Sequence, residues 1–212
     1  MYSLVGYKLN TYEFSLFINF PSHIYFMVIG LILSEAWLRF GNSKSKNALL
    51  GFEQSLAHLE YFWYVFTLLS PYCSSYPVFK HRTSFGKSTF SLQLETRSLP
   101  CLTQLYSLFY INGIKIIPTE IYDLLTPSAL AHFIMGDGAK SRNGLLLCTN
   151  SYKIEDVVML INILMIRYRL NYTLRIHSSG SPMIYISTKL MPLLRSIVLP
   201  YMLPSFLYKI CP

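Results

Sequence analysis

The chain has 212 residues, of which 52% are hydrophobic and 13% charged, and its 18 basic and 10 acidic residues give a formal net charge of +8. This composition is too apolar for a disordered chain, and the length suits one sizeable domain or two small fused units. The apolar run at residues 24–33 has about half of the roughly 20 residues that a membrane-spanning helix needs, which indicates a buried core helix. The basic excess favours a polyanionic partner, with an ordinary basic surface as the alternative.

In chain order, the first half opens with an apolar segment and continues through further elements of alternating type. The patterns predict a strand (47–54), an amphipathic helix (56–69), two strands (76–82 and 89–95) and a helix (99–110). The aromatic-rich helix could suggest base stacking, but its helical spacing favours core packing.

A polar, proline-marked stretch around residues 115–126 predicts a linker between two halves. Thr126 followed by Pro127 predicts a helix start, since threonine caps free amides and proline is tolerated at the first helical position. The second half then repeats the order of the first. Its predicted elements are a motif helix (130–138), a strand (144–149), a helix (154–168), two strands (171–177 and 183–187) and a helix (191–198).

The four cysteines are widely spaced, with no CxxC pair and no histidine at zinc-finger spacing. We therefore expect free thiols in a reducing compartment and no zinc knuckle. The first residues lack the basic start of a secretory signal and the arginine-rich character of a transit peptide. The product is expected either to stay where it is made or to have been cut from something longer.

Two segments share an apolar pattern that ends in a small residue, an acid and a small residue. They read VIGLILSEA at 28–36 and LAHFIMGDG at 130–138, and they place Glu35 and Asp137 in the same register, 102 residues apart. Either segment alone could be an unrelated buried helix. Repetition at half the chain length, with matching downstream elements, favours a duplicated unit.

An acid in the last turn of a helix lies at the negative end of the helix dipole and requires a cation nearby. Two such helices packed side by side would gather carboxylates and free carbonyl oxygens, a set suited to Mg²⁺. Gly30 and Ser34 would permit the close approach, as Ala131 and Gly136 would less regularly. His132 is predicted to lie in this interface, and Gly138 to end its helix in a left-handed conformation.

With these motifs the chain resembles the LAGLIDADG family of homing endonucleases and intron maturases, of the single-chain organellar group I intron type with two motifs. The likeness covers roughly residues 24–210, and beyond the motifs it rests on 51–55, 95–98, 115–118, 130–140, 200–204 and 208–209. It implies an α+β fold: a pseudo-twofold repeat of αββαββα halves, paired motif helices at the centre and two antiparallel sheets forming a DNA-binding saddle. The expected divisions are an N-terminal extension (1–23), a first half (24–118) and a second half with a C-terminal tail (119–212).

The strand patterns predict the same sheets independently of the resemblance. Between 171 and 177, alternation places Tyr172, Leu174 and Ile176 inward and the polar residues outward. Between 89 and 95, Phe90, Leu92 and Leu94 are predicted to face inward, and Lys80 and Arg82 share one face of the preceding strand. A curved sheet of this kind fits the major groove of DNA, although any single polar position could be only solvated.

The resemblance implies that Glu35 and Asp137 bind Mg²⁺ or another divalent cation that supports phosphodiester cleavage, with each active centre cutting one strand of duplex DNA. Lys87, Gln93 and Lys140 are the predicted assisting catalytic residues. The predicted nucleic-acid contacts are Lys44, Lys46, Lys80, Arg82, Arg97, Arg142, Asn171, Thr173, Arg175 and His177.

The first motif departs from the family pattern, because Ser34-Glu35-Ala36 stands where glycine-aspartate-glycine is expected. The longer acid misplaces its carboxylate, and Ala36 would disfavour a left-handed helix end. The departure keeps a second hypothesis open, a catalytically weakened or inactive RNA-binding maturase on the same fold; a membrane-associated protein is the third. The resemblance further implies a monomer encoded and translated inside the mitochondrion.

Overall fold

The structure is a computed structural model that describes residues 18–84, 87–142, 144–177 and 180–211. Within these ranges no helix is both long enough and apolar enough to cross a membrane. Each half of the chain has the element order αββαββα, which confirms the predicted repeat.

The first half contains three α-helices and four strands. They are α1 (Ser22–Leu33), β1 (Trp37–Phe40), β2 (Ala48–Ser55), α2 (Leu59–Leu69), β3 (Val78–Ser84), β4 (Lys87–Glu95) and α3 (Pro100–Phe109). A short hairpin, β5 (Tyr110–Ile111) and β6 (Ile114–Lys115), and a one-turn helix, α4 (Ile121–Leu124), lead to the second half.

The second half repeats this arrangement. Its elements are α5 (Pro127–Asp137), β7 (Gly138–Ser141), β8 (Gly144–Cys148), α6 (Ile154–Tyr168), β9 (Tyr172–Ile176), β10 (Pro182–Ile186) and α7 (Met191–Val198), followed by a 3₁₀ segment at Pro204–Lys209. Thr126 caps α5 as predicted, since its hydroxyl accepts a hydrogen bond from the Ala129 amide and Pro127 takes the first helical position.

The two four-stranded sheets are antiparallel and have the same strand permutation, β1-β2-β4-β3 in one and β7-β8-β10-β9 in the other. Directly paired residues share a face in such a sheet. In the first sheet Leu50 pairs with Leu38, and Phe52 pairs with Leu94; all four are buried. The opposite side is called here the outer face of each sheet; it carries Glu53 and Gln93 in the first sheet and Thr173 and Arg175 in the second.

Contacts divide the chain into two compact units. Within the described residues, unit 1 lies between 35 and 107 and includes 18–24, and unit 2 lies between 108 and 211 and includes Tyr25–Ser34. The apolar part of α1 therefore packs within unit 2, against α5. A Cβ added at Gly30 would lie 2.4 Å from the Ala129 carbonyl oxygen and 2.6 Å from the His132 Cβ, which confirms both the predicted role of Gly30 and the place of His132 in the helix interface.

The ends of the two motif helices differ from the prediction. Asp137 is the last residue of α5, whereas Glu35 lies in the turn that follows α1. Gly138 has an extended conformation (φ −76°, ψ 135°), so the predicted left-handed end is wrong. The chain passes straight from α5 into β7, and glycine is needed at 138 because a Cβ would lie 2.4 Å from the Ile134 carbonyl oxygen. Ala36 also has no positive φ, so the expected penalty at this residue is absent.

The aromatic helix α2 mainly serves the core of unit 1, as predicted. Tyr61, Phe62 and Phe66 are buried, and Phe52 of β2 packs against Tyr61 and Phe62 with ring centroids 5.8 and 6.0 Å apart. Trp63 and Tyr64 remain exposed on the other side of the helix.

Candidate functional site

Asp137 lies at the end of α5, where its charge is opposed by burial and by the helix dipole. Burial raises the pKa of its carboxyl to about 6, against an ordinary value of 3.8, although the positive charges of Lys115 and Lys209 work in the opposite direction. A carboxyl with this environment binds a proton or a metal cation more readily than a solvated aspartate does.

Lys209 neutralises the end of the same helix. Its buried ammonium donates to the carbonyl oxygens of Ile134, Met135 and Gly136 at 3.3, 2.6 and 3.3 Å. Met135 and Gly136 are among the residues whose carbonyls a helix leaves without a backbone partner in its last turn, whereas Ile134 also accepts from the Gly138 amide. Lys209 is therefore the cation that the sequence analysis predicted beside Asp137.

Lys115 has the corresponding role at the end of α1. Its Nζ donates to the Ser34 carbonyl oxygen at 3.2 Å, and the hydroxyl of Tyr152 donates to the Leu33 carbonyl oxygen at 3.0 Å. Burial lowers the pKa of Lys115 to about 8, while the charge of Asp137 raises it. Carbonyl oxygens at the end of each motif helix thus accept hydrogen bonds from a lysine that lies near the C-terminal end of the same half.

Glu35 has a different setting in unit 1. Its carboxylate accepts a hydrogen bond from Nε2 of Gln54, a buried side chain on β2. The Ser34 hydroxyl folds back onto its own helix and donates to the Gly30 carbonyl oxygen at 3.0 Å. The hydroxyl of Ser34 therefore bonds within its own helix at the end of α1.

The donor set around Asp137 bears on whether a divalent metal fits. Among the residues that the structure describes, no three His, Cys, Asp or Glu side chains lie close enough together to hold a metal ion. Mg²⁺ is commonly held by one or two carboxylates and completed by water and substrate phosphates. A part-buried carboxyl at a helix end fits that kind of site, in which nucleic-acid oxygens supply the remaining ligands.

The outer face of the first sheet brings together several predicted contact residues. Strand pairing places Lys80 beside Ser91 and Arg82 beside Thr89, and Gln93 follows on the same face. Arg82 Nη2 donates to Glu53 Oε2 at 2.7 Å, and Ser91 donates to the same carboxylate. Burial of Glu53 opposes its ionisation, but these hydrogen bonds outweigh burial and lower the pKa of the carboxyl.

A second acid–arginine pair lies nearby on this face. Arg39 Nη2 donates to Glu95 at 2.8 Å, and Gln93 Nε2 donates to Glu95 at 3.0 Å. Together with Lys80 these residues line an open cavity of about 370 Å³. The face therefore carries positioned donors and acceptors of the kind that read base edges.

The outer face of the second sheet is built around Arg175. Its guanidinium lies 3.5 Å from the centroid of the Tyr185 ring, and its strand neighbour Thr173 is exposed on the same face. Tyr172 of β9 is buried on the other side, whereas Ile176, also predicted to face inward, is 55% exposed. Asn171 and His177 flank the strand and are exposed.

The other predicted residues lie apart from these groups. Lys44 and Lys46 are exposed between β1 and β2, and Arg142 is exposed in the turn after β7. Arg97 donates to the Pro71 carbonyl oxygen at 3.1 Å, and Lys140 donates to the Cys211 carbonyl oxygen at 3.0 Å. Lys87 begins β4, and its side chain lies outside the described residues.

Sequence reasoning missed Lys115 and Lys209 as functional residues. The signal was a second repeat, Lys-Ile-x-Pro, at 115–118 and again at 209–212. The two lysines are 94 positions apart, close to the 102 that separate the acids. A lysine that is repeated at nearly the same spacing as the acid is predicted to lie near that acid.

Comparison with known proteins identifies relatives along most of the chain. A model of the LAGLIDADG DNA endonuclease family matches residues 26–194. Cytochrome b mRNA maturase bI2 of Debaryomyces hansenii is 30% identical over 191 residues, covering 87% of this chain and 72% of that protein. The bI2 maturase of Saccharomyces cerevisiae is 33% identical over 78% of this chain, which spans only 42% of that protein. Probable intron-encoded endonuclease 1 of Wickerhamomyces canadensis is 30% identical, with 86% of this chain and 81% of that protein covered.

Solved structures agree with the fold. The homing endonuclease I-WcaI, bound to its DNA recognition sequence, superposes with a TM-score of 0.87 and 26% identity, covering 98% of this chain and 96% of that chain. I-DmoI in complex with DNA and Mn has a TM-score of 0.51 and 12% identity over 86% of this chain and 99% of that chain, a likeness of fold alone. From the family match and these relatives, the chain belongs to the LAGLIDADG DNA endonuclease family.

Proposed function

We propose that this protein is an intron-encoded, site-specific endonuclease that cleaves double-stranded DNA with a divalent metal ion. The observation that carries the proposal is the placement of Asp137 at the end of α5, with Lys209 on the adjacent carbonyls and the charge of Lys115 acting on the same carboxyl. The structural neighbour I-WcaI, solved on its DNA recognition sequence, supports duplex DNA as the ligand.

In this proposal Asp137 and Glu35 each supply a carboxylate to divalent metal. When bound, the metal would activate water and stabilise the leaving oxygen of an in-line phosphodiester cleavage. Lys115 and Lys209 keep the helix ends neutral and hold positive charge near Asp137, where a phosphate approaches. Gln54 fixes the orientation of the longer Glu35 side chain through its hydrogen bond.

DNA recognition would use the outer faces of the two sheets. Lys80 and Arg175 supply cationic contacts, and the pairs Arg82–Glu53 and Arg39–Glu95 present fixed guanidinium and carboxylate groups to base edges. Lys44, Lys46 and Arg142, all exposed in loops, would contact phosphates. Lys87, Gln93 and Lys140 stay predictions as assisting catalytic residues.

A maturase that binds intron RNA is the second candidate, favoured by two relatives at 30% and 33% identity that are named cytochrome b mRNA maturase bI2. Glu35, in the turn after α1 and tied to Gln54, is consistent with a weakened first centre. We further propose that the protein acts as a monomer with internal pseudo-symmetry. We also propose that it is encoded in the mitochondrion, since two relatives are named as maturases of cytochrome b mRNA.

The test incubates the protein with a duplex that carries the intron-less insertion site, with Mg²⁺ or with EDTA, beside filter binding of the intron transcript. Cleavage that requires Mg²⁺ supports the endonuclease. Tight, salt-sensitive binding of the transcript without any DNA cleavage would support the maturase and reject the nuclease.

A further inference from the structure

A cavity in unit 2 combines three cations with no acidic lining residue among those that the structure describes. It has a volume of about 200 Å³ and is lined by Lys140, Arg195 and Lys209, together with Gly144, Thr188 and Cys211 among others. We propose that this cavity is a binding site for a phosphate group.

Lys209 is already engaged with the end of α5, whereas the bonds that Lys140 and Arg195 make leave their charge unbalanced. Lys140 donates to the Cys211 carbonyl oxygen at 3.0 Å, and Arg195 Nε donates to the Ile210 carbonyl oxygen at 2.6 Å. Both acceptors are neutral. Within the described residues the terminal nitrogens of Arg195 have no recorded acceptor, so the guanidinium retains the donors that suit an oxyanion.

The neighbouring backbone and hydroxyl groups favour the same class of ligand. Met191, the first residue of α7, lines the cavity, and a helix start is a region of positive potential. Thr188 adds a hydroxyl donor at the same wall. Lys140 and Arg195, a hydroxyl and a helix start in one concavity match a tetrahedral oxyanion better than a neutral ligand.

The cavity lies on the side of the second sheet opposite its outer face. Lys140 pairs with Leu145, which is fully buried, so its side chain leaves β7 on the buried side. Thr173 and Arg175 lie on the other side of the sheet. The contacts that bind a nucleic acid to the outer face would therefore not place one of its phosphates in the cavity. The cavity is a site additional to the proposed DNA interface.

The experiment titrates the full chain with inorganic phosphate at constant ionic strength and follows backbone amide shifts at Gly144 and Thr188. We expect saturable shifts there. Affinity should fall by about tenfold or more in Arg195→Gln and in Lys140→Gln, since each removes a charge-assisted donor. Lys189→Gln, which removes an exposed neighbouring lysine outside the cavity, is the control and should alter affinity by less than about twofold.

A second arm distinguishes free phosphate from a phosphate of bound nucleic acid. If nucleic acid supplies the group, Arg195→Gln should reduce the slope of log affinity for a duplex against log salt by about one. If free phosphate is the ligand, the slope should be unchanged while phosphate binding is lost. The proposal is overturned if wild-type amides at the cavity show no saturable shift and the salt slope is also unaffected. In that case the cations only fasten the C-terminal segment.

Discussion

Asp137 is held in a position that disfavours its ionised form relative to a solvated aspartate. Its pKa of about 6 reflects burial that outweighs two neighbouring lysines, so ionisation at neutral pH lowers the stability of the folded protein. The proposed metal-binding role of Asp137 would account for this loss of local stability, and substitution of Asp137 should recover the stability.

Asp137→Asn should stabilise the metal-free protein at pH 7.5. The pKa of Asp137 is about 6 in the folded protein, against an ordinary value of 3.8. When the carboxyl is ionised, this difference lowers the free energy of unfolding by about 3 kcal/mol at most. Between pH 4 and 6 the Asp137 carboxyl holds its proton more tightly in the folded than in the unfolded protein. The stability of wild type relative to Asp137→Asn should therefore fall over this range: the difference should be absent below pH 4 and complete above pH 7. Urea unfolding at several pH values measures the difference. Asp123→Asn, at an exposed position, is the control, and a gain for Asp137→Asn that does not depend on pH would contradict the account.

Lys115→Met should raise the pKa of Asp137 further, because the charge of Lys115 is the larger of the two that oppose burial. The midpoint read from the carboxyl ¹³C shift of Asp137 should move upward by a measurable fraction of a unit. Lys189→Met removes an exposed lysine and should leave the midpoint in place. A midpoint that falls, or does not move, in Lys115→Met would show that the two groups are not coupled.

At the scale of elements, the interface of α1 and α5 depends on backbone contact at one residue. Gly30 meets both the Ala129 carbonyl oxygen and the His132 side chain, and neither partner is the free end of a flexible chain. A methyl group there requires the helices to separate.

Gly30→Ala should lower the free energy of unfolding by about 1–3 kcal/mol, as overpacking of a close helix contact does. The midpoint of urea unfolding measures it. Gly41→Ala is the matched control, since its added Cβ would meet only side-chain atoms, the Ser45 hydroxyl at 3.2 Å and Leu49 Cδ2 at 3.9 Å. An equal change in the free energy of unfolding for the two substitutions would indicate that the interface of α1 and α5 accommodates a methyl group.

Most elements could be predicted from periodicity, and the failures have physical causes. Both α6 and α7 have the predicted bounds, because amphipathic spacing defines them along their whole length. β1 and β7 were not predicted as separate strands from the residue pattern: each has four residues, and β7 contains glycine and alanine. These two strands form because they pair with β2 and β8, and the strand propensity of their own residues does not predict that tertiary contact. Lys115 and Lys209 were also missed, since they reach the helix ends from far along the chain and only the Lys-Ile-x-Pro repeat marks them in the sequence.

At the scale of the whole molecule, a net charge of +8 is spread over a chain in which only 13% of residues are charged. Part of the positive charge on the first sheet is balanced within the face by Glu53 and Glu95. Such pairs reduce nonspecific attraction to phosphates and leave oriented groups for base contacts. Periodicity was enough to predict that Lys80 and Arg82 share a face, but not that Arg82 is paired with Glu53 across strands.

Glu53→Gln should strengthen nonspecific DNA binding, because it releases Arg82 from its carboxylate. The slope of log affinity against log salt should become steeper by about one for a random duplex. Glu60→Gln removes an exposed acid on α2 and serves as the control. An unchanged slope in Glu53→Gln would mean that Arg82 does not reach the nucleic acid.

The proposed role of Asp137 in metal-dependent phosphodiester cleavage is measured by the single-turnover cleavage rate of the insertion-site duplex in Mg²⁺. We expect Asp137→Asn to cleave at least about a hundredfold more slowly than wild type, with duplex affinity retained and Asp123→Asn unaffected. Cleavage by Asp137→Asn at the wild-type rate would contradict the proposed role.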